Sequence, residues 1–164
     1  KKINLQNQVV LNKDNLNGFS TENNALIKVD LLWEDVELKE SLYNEELLAA
    51  LRDILKMQES KNYAFINFFT KKSLDEVDFV DSFIQAAVHT ARRLKDCVSV
   101  LGFCIFDGLL AKDMEKNLDA NSYTQWFISE MNKKHGHYVY FAEKNAVEKY
   151  KLKAFTETNE LVLV

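Results

Sequence analysis

Proline is absent from the 164-residue chain, and glycine occurs only four times. Average usage is about 5% and about 7% respectively, so turns must come from Asn, Asp, Ser and those few glycines. Four glycines also give little with which to cradle a phosphate. No GxGxxG, P-loop or GxSxG pattern occurs, which disfavours nucleotide chemistry of those types. The two cysteines, Cys97 and Cys104, make no disulfide framework and lack the second pair that a four-cysteine zinc site needs. Reduced, partly buried thiols are expected. No apolar run approaches the roughly 20 residues that cross a bilayer. The opening KKINLQNQVVLNKDN lacks the continuous apolar core of a signal peptide. These absences predict a soluble chain with the cytoplasm as first expectation. A start at Lys1 rather than Met leaves export of a processed chain open. The net charge of −4 and pI near 5.5 supply no general field for nucleic acid or an anionic membrane, and neither is expected as a partner.

What is present is a globular composition, 47% hydrophobic and 28% charged, with enough chain for one sizeable core. A single α/β domain over residues 1–164 is expected. LIKVDLL (26–32) reads as a strand. Asn44 then caps a helix with Leu47, Leu48, Leu51, Ile54 and Leu55 at the 3.6 period, and Glu45 and Glu46 at its positive end. YAFINFF (63–69) is a second strand. Ser73-Leu74-Asp75-Glu76 fits a capping box, opening a long helix that turns Phe79, Val80, Phe83, Ile84, Ala87, Val88, Ala91 and Leu94 inward. VSVLGFCIF (98–106), apolar on both faces, reads as a central parallel strand. Ser122 caps a helix with Trp126, Phe127 and Met131 that ends near Gly136. HYVYFA (137–142) is a fourth strand, and a short helix over 146–150, then KAFT and ELVLV, follow. Strands alternating with helices imply a mostly parallel sheet.

Three segments, in order, resemble the cellulase-like clan of glycoside hydrolases, which are (β/α)8 barrels. LIKVDLLWEDVELKESLYNEELLAALRDILK resembles the second barrel strand and its helix, with Lys28 in the place of an Arg, then Trp33, Glu34, Glu37-Leu38 and Tyr43-Asn44. FVDSFIQAAVHTARRLKDCVSVLGFCIFDGLL resembles the helix with an Ala-Arg-Arg-Tyr-Lys-like end, matched by Arg92, Arg93 and Lys95, and the fourth strand with Gly102-Phe103. TQWFISEMNKKHGHYVYFAEK resembles the next helix and strand. The resemblance runs from about Leu26 to Glu143. It implies an Asn-Glu-Pro after the fourth strand, whose Glu is the general acid/base, where this chain has Asp107-Gly108-Leu109. It also implies a His near the end of the third strand, where Phe69-Thr70 stand. Retaining hydrolysis needs two carboxyl groups about 5 Å apart. At 164 residues the chain is shorter than the ~200 of the smallest such barrels. Two folds fit the pattern: a partial, degenerate (β/α) barrel, or an open, flavodoxin-like doubly wound sheet.

In either fold, ligands lie beyond the carboxyl ends of the parallel strands, which nominates Trp33, Glu34, Thr70, Asp107 and Glu143. The resemblance adds Lys28. Trp33 could stack on a sugar ring while Glu34 and Asp107 hydrogen-bond hydroxyls; alternatively Trp33 packs under a loop, Glu34 and Glu143 cap helices, and Asp107-Gly108 is a turn. His135-Gly136-His137 is better explained by a helix end, with Gly136 as a left-handed cap, than by a metal. His89, Arg92, Arg93 and Lys95 form a basic, solvated face. No cofactor and no metal is expected. The leading expectation is a non-catalytic domain binding a carbohydrate-like ligand or a protein partner. The alternatives are a glycosidase-type hydrolase using Asp107 with Glu143 or Glu34, and a structural module that self-associates through a strand edge.

Overall fold

The computed structural model describes residues 4–11, 24–116, 122–149 and 161–164. Its main sheet takes β1 (Asn4–Leu11), β2 (Ala25–Leu32), β5 (Tyr63–Phe69), β6 (Val100–Cys104), β7 (Val139–Ala142) and β8 (Leu161–Leu163). A two-stranded antiparallel ribbon, β3 (Glu37–Lys39) and β4 (Leu42–Tyr43), follows the single-turn helix α1 (Trp33–Val36). The longer helices are α2 (Glu45–Met57), α3 (Val77–Leu94), α4 (Asp107–Glu115) and α5 (Tyr123–His135), with the short α6 (Lys144–Lys149) after β7.

The main-sheet strands lie in the order β1-β2-β5-β6-β7-β8, and each adjacent pair is parallel. This order decides between the two expected folds. A doubly wound sheet reverses its strand order at a switch point and carries helices on both faces. Here every strand pairs with its sequence neighbours in the sheet, as in a (β/α) barrel, and no closed barrel forms among the described residues. The flavodoxin-like alternative is therefore set aside.

Side-chain alternation confirms one helical face. Ile27, Val29 and Leu31 of β2, Ala64, Ile66 and Phe68 of β5, and Phe103 of β6 enter a large core with Leu48, Leu51 and Leu55 of α2, Val80, Phe83 and Ile84 of α3, Leu109 of α4 and Phe127 of α5. The other face gathers a small cluster, Leu26, Phe65, Cys104 and Phe141, to which no helix contributes among the described residues. Its centre is a stacked pair, Phe65 and Phe141, with ring centroids 4.6 Å apart. At Gly102, β6 approaches β7 so closely that a Cβ would lie 1.6 Å from the Val139 carbonyl oxygen.

Asn44 caps α2 through Oδ1, which accepts from Leu47 N at 3.1 Å, and Ser122 caps α5 by accepting from Gln125 N at 3.0 Å. Other local expectations are corrected. The Ser73 capping box does not form: Ser73 donates to Asp75, and α3 starts at Val77 with no side-chain cap. Phe79 is 44% exposed rather than buried: it lies on the same helical face as the buried Phe83 and Ala86, four and seven residues on, but in the first turn of α3, at the end of the packed stripe. Gly136 ends α5 at φ −63, so it is not a left-handed cap. Asp107-Gly108 is not a turn but the first residues of α4. The segment KAFT lies outside the described residues.

Candidate functional site

The helix-free face of the sheet carries the most concentrated polar chemistry of the strands. Lys28 and Asp30 alternate with Leu26 along β2, and Asn67 sits opposite Asp30 on β5. Glu143 follows β7, two positions after Phe141, so β2 and β7 aim polar groups over the same apolar floor. Lys28 Nζ lies 2.5 Å from Glu143 Oε1 and 3.8 Å from Asp30 Oδ1. Asn67 Nδ2 donates to Asp30 Oδ1 at 2.8 Å. Partial burial pulls the Lys28 ammonium down, but the Glu143 hydrogen bond and the Asp30 and Glu143 charges outweigh it and hold Lys28 above its ordinary value. Beneath them, burial pushes the Cys104 thiol up to about 12, with Glu143 adding to the effect. Cys104 is a packing residue, not a nucleophile. Lys28, Glu143, Lys144, Asn145 and Val164 border a cleft of about 270 Å³.

Trp33, Glu34 and Thr70 form a second group. Thr70 Oγ1 donates to Glu34 Oε1 at 2.9 Å, as does Lys71 N at 3.2 Å. Trp33 is 5% exposed, set edge-on to Phe83 with centroids 5.8 Å apart, and its Nε1 donates to Glu37. Little ring surface remains for a flat ligand. Five of the six residues nominated from sequence thus fall into two places, Lys28 with Glu143 and Trp33 with Glu34 and Thr70. Asp107, at the start of α4, is a third position, near enough to act on the Cys104 thiol. Asp30 and Asn67 escaped nomination. Their signal was legible: each is a polar residue in a mostly apolar strand, and both fall on the face that holds Lys28.

The basic helical face of α3 is not free. Glu45 of α2 accepts from Arg93 and lies 2.7 Å from His89 Nε2, while Tyr43 stacks on the His89 ring at 3.9 Å. Arg93, then His89, hold the Glu45 carboxyl below its ordinary range. These contacts fasten α2 to α3. His135 is 3% exposed, and its Nε2 has no hydrogen-bond partner among the described residues. Among those residues no three His, Cys, Asp or Glu side chains converge on a metal-sized site. Burial, reinforced by His137, Lys134, Lys95 and Arg92, depresses the His135 pKa below 6.5. The unfolded chain therefore takes up a proton that the native one refuses, so stability is full above about pH 6.5 and falls as pH drops through the folded pKa. His89, lowered chiefly by burial, acts in the same direction. Thermal melts between about pH 5 and 8 should show this loss on the acid side, with a shallower slope for His135→Leu.

No family model matches the chain, and no curated protein matches it. Among solved structures, its fold is similar to that of a GH5_18 from Bifidobacterium longum subsp. infantis, with TM-score 0.52 and 10% identity over 71% of this chain and 34% of that one. It is also similar to a GH5_18 variant from Bifidobacterium longum subsp. longum, in complex with Manβ1-4GlcNAc, with TM-score 0.50 and 10% identity over 73% of this chain and 35% of that one. The chain spans about a third of the length of these proteins. At such identity the likeness shows the fold alone: a glycoside-hydrolase-like α/β arrangement. No helix among the described residues is long and apolar enough to cross a membrane.

Proposed function

We propose that the chain is a non-catalytic, glycoside-hydrolase-like α/β domain that binds a carbohydrate through the polar end of its helix-free sheet face. The observation that carries this reading is the Lys28 ammonium set between Glu143 and Asp30, 2.5 and 3.8 Å away. Glycoside hydrolysis asks for two carboxyl groups facing each other across the anomeric carbon, one of them protonated. Here a lysine ammonium stands between the two carboxylates, which suits charge-assisted hydrogen bonding to sugar hydroxyls and does not present the facing carboxyl pair that hydrolysis asks for. Of the other nominated acids, Glu34 already accepts through Oε1 from Thr70 and Lys71, and Asp107 stands apart at the start of α4. Gly108, where the resemblance implies the acid/base, carries no side chain. The disaccharide bound to one of the similar structures makes a β-mannoside a sensible first ligand.

Calorimetric titration with Manβ1-4GlcNAc should give saturable binding that weakens about tenfold or more in Lys28→Met, the loss of one charge-assisted contact. Aryl glycosides should not be turned over. Robust turnover that disappears in Asp107→Asn would replace this reading with the hydrolase one.

A further inference from the structure

A cleft of about 350 Å³ lies away from the Lys28 group, between the β3–β4 ribbon and the first turn of α3. Its size is that of a small ligand pocket. Glu40, Glu76 and Asp78 line it, are exposed, and make no side-chain hydrogen bond or ion pair among the described residues. Glu34 lines it too, and its Oε2 is buried with no hydrogen-bond partner, although Oε1 is well supplied. A buried carboxylate oxygen without a donor is costly, so a cationic donor arriving here gains more than at an ordinary surface acid. Of the two lysines in the wall, Lys39 and Lys72, the latter sits over the Trp33 ring at 5.3 Å.

The surroundings are apolar. Seven large hydrophobic side chains are exposed among the described residues, and four of them, Leu38, Leu42, Val77 and Phe79, belong to the ribbon or to the first turn of α3. Leu38 and Phe79 form part of the cleft wall. Exposed apolar side chains beside a cleft, here Leu38 and Phe79 in its wall, offer surface for a partner to cover. Free carboxylates beside such a patch select a ligand with positive charge and flanking apolar groups together.

From the excess of unpaired carboxylates, the unfilled Glu34 oxygen and the exposed hydrophobic border, we infer that this cleft docks a peptide segment of a protein partner, one whose arginine or lysine is flanked by leucine-like side chains. The charged head enters among Glu34, Glu40, Glu76 and Asp78, and the flanking side chains cover Leu38 and Phe79. This interface is separate from the carbohydrate reading above and stands or falls independently of it.

The test is fluorescence anisotropy with a labelled Leu-Arg-Leu-Arg-Leu peptide, with Ser-Arg-Ser-Arg-Ser and free argininamide as competitors. The full chain should bind the labelled peptide saturably, and both competitors should be at least tenfold weaker. The exposed triple variant Glu40→Gln, Glu76→Gln, Asp78→Asn should lose about tenfold in affinity or more, since each 1.4 kcal/mol is tenfold, and Phe79→Ser should lose severalfold. A charge-matched control on other exposed acids, Glu46→Gln, Asp53→Asn, Asp96→Asn, should change affinity less than twofold. Equal losses in the two triple variants would overturn the proposal, because attraction would then be diffuse. Absence of saturable binding, or competitors as strong as the peptide, would overturn it as well.

Discussion

Gly102→Val should leave little folded protein, and even Gly102→Ala should be severely destabilised. The added Cβ would lie 1.6 Å from the Val139 carbonyl oxygen, 2.6 Å from its carbonyl carbon and 2.8 Å from its nitrogen, all backbone atoms of the neighbouring strand. A flexible side chain could rotate away, but backbone held in a parallel ladder cannot. Overpacking a core by a methylene typically costs about 1–3 kcal/mol. Here relief requires β6 and β7 to part, breaking the ladder that joins Gly102 to Val139 and Phe103 to Tyr140. A cost above that range is expected, read by urea unfolding as a large fall in the midpoint or no transition at all. A near-native midpoint for Gly102→Ala would mean that the two strands are spaced more widely than described.

Phe83→Ala is expected to cost about 3–5 kcal/mol, the range for removing a buried phenylalanine. Phe83 is fully buried and meets three aromatic rings at once: Trp33 at 5.8 Å, Phe68 at 5.1 Å and Phe106 at 5.4 Å. These come from α1, β5 and the residue before α4, so one side chain of α3 ties together the turns that follow β2 and β6. The void should therefore loosen the loops as well as the core. Denaturant unfolding measures the loss, and Phe83→Leu should recover most of it. Were the alanine variant to lose less than about 1 kcal/mol, collapse of the surroundings into the void would have to be complete.

Much of the scaffold was legible from periodicity, and the failures have specific causes. Strand and helix positions followed from the short apolar runs LIKVDLL and YAFINFF, the latter rich in aromatics, and from the 3.6 period of α2 and α3. The Asn44 and Ser122 caps were read correctly because each is a strong acceptor directly ahead of a helix, accepting from the backbone N–H three residues on. Ser73 failed as a cap because α3 starts only at Val77, after Glu76, so that Ser73 stands outside the helix with its hydroxyl donating to Asp75. Phe79 is exposed because it falls in the first turn of α3, at the end of the packed stripe, which periodicity alone does not show. α4 went unseen because DGLLAKDME is short and weakly amphipathic. Strand order was not readable either, since a doubly wound sheet and a barrel arc share one local pattern and differ only in which strands pair. For the site, placing candidates after strands found Glu143, Glu34 and Thr70. It missed Asp30 and Asn67, which lie within strands, and it could not foresee that Trp33 would be spent on packing against Phe83.

The unbroken strand order has a consequence for how the chain assembles. Along one row of the sheet Lys28 pairs with Phe65, Phe65 with Gly102 and Gly102 with Val139, each partner 37 residues further on, the spacing that also separates Asp30 from Asn67. Every closure in this row therefore spans one unit of equal length, and none has to reach past a strand already in place. Loop-closure entropy grows with the logarithm of length, so the entropic cost is divided into similar steps instead of being concentrated in one long crossover. A chain built this way can add each strand and its helix to the growing edge in the order in which the ribosome delivers them.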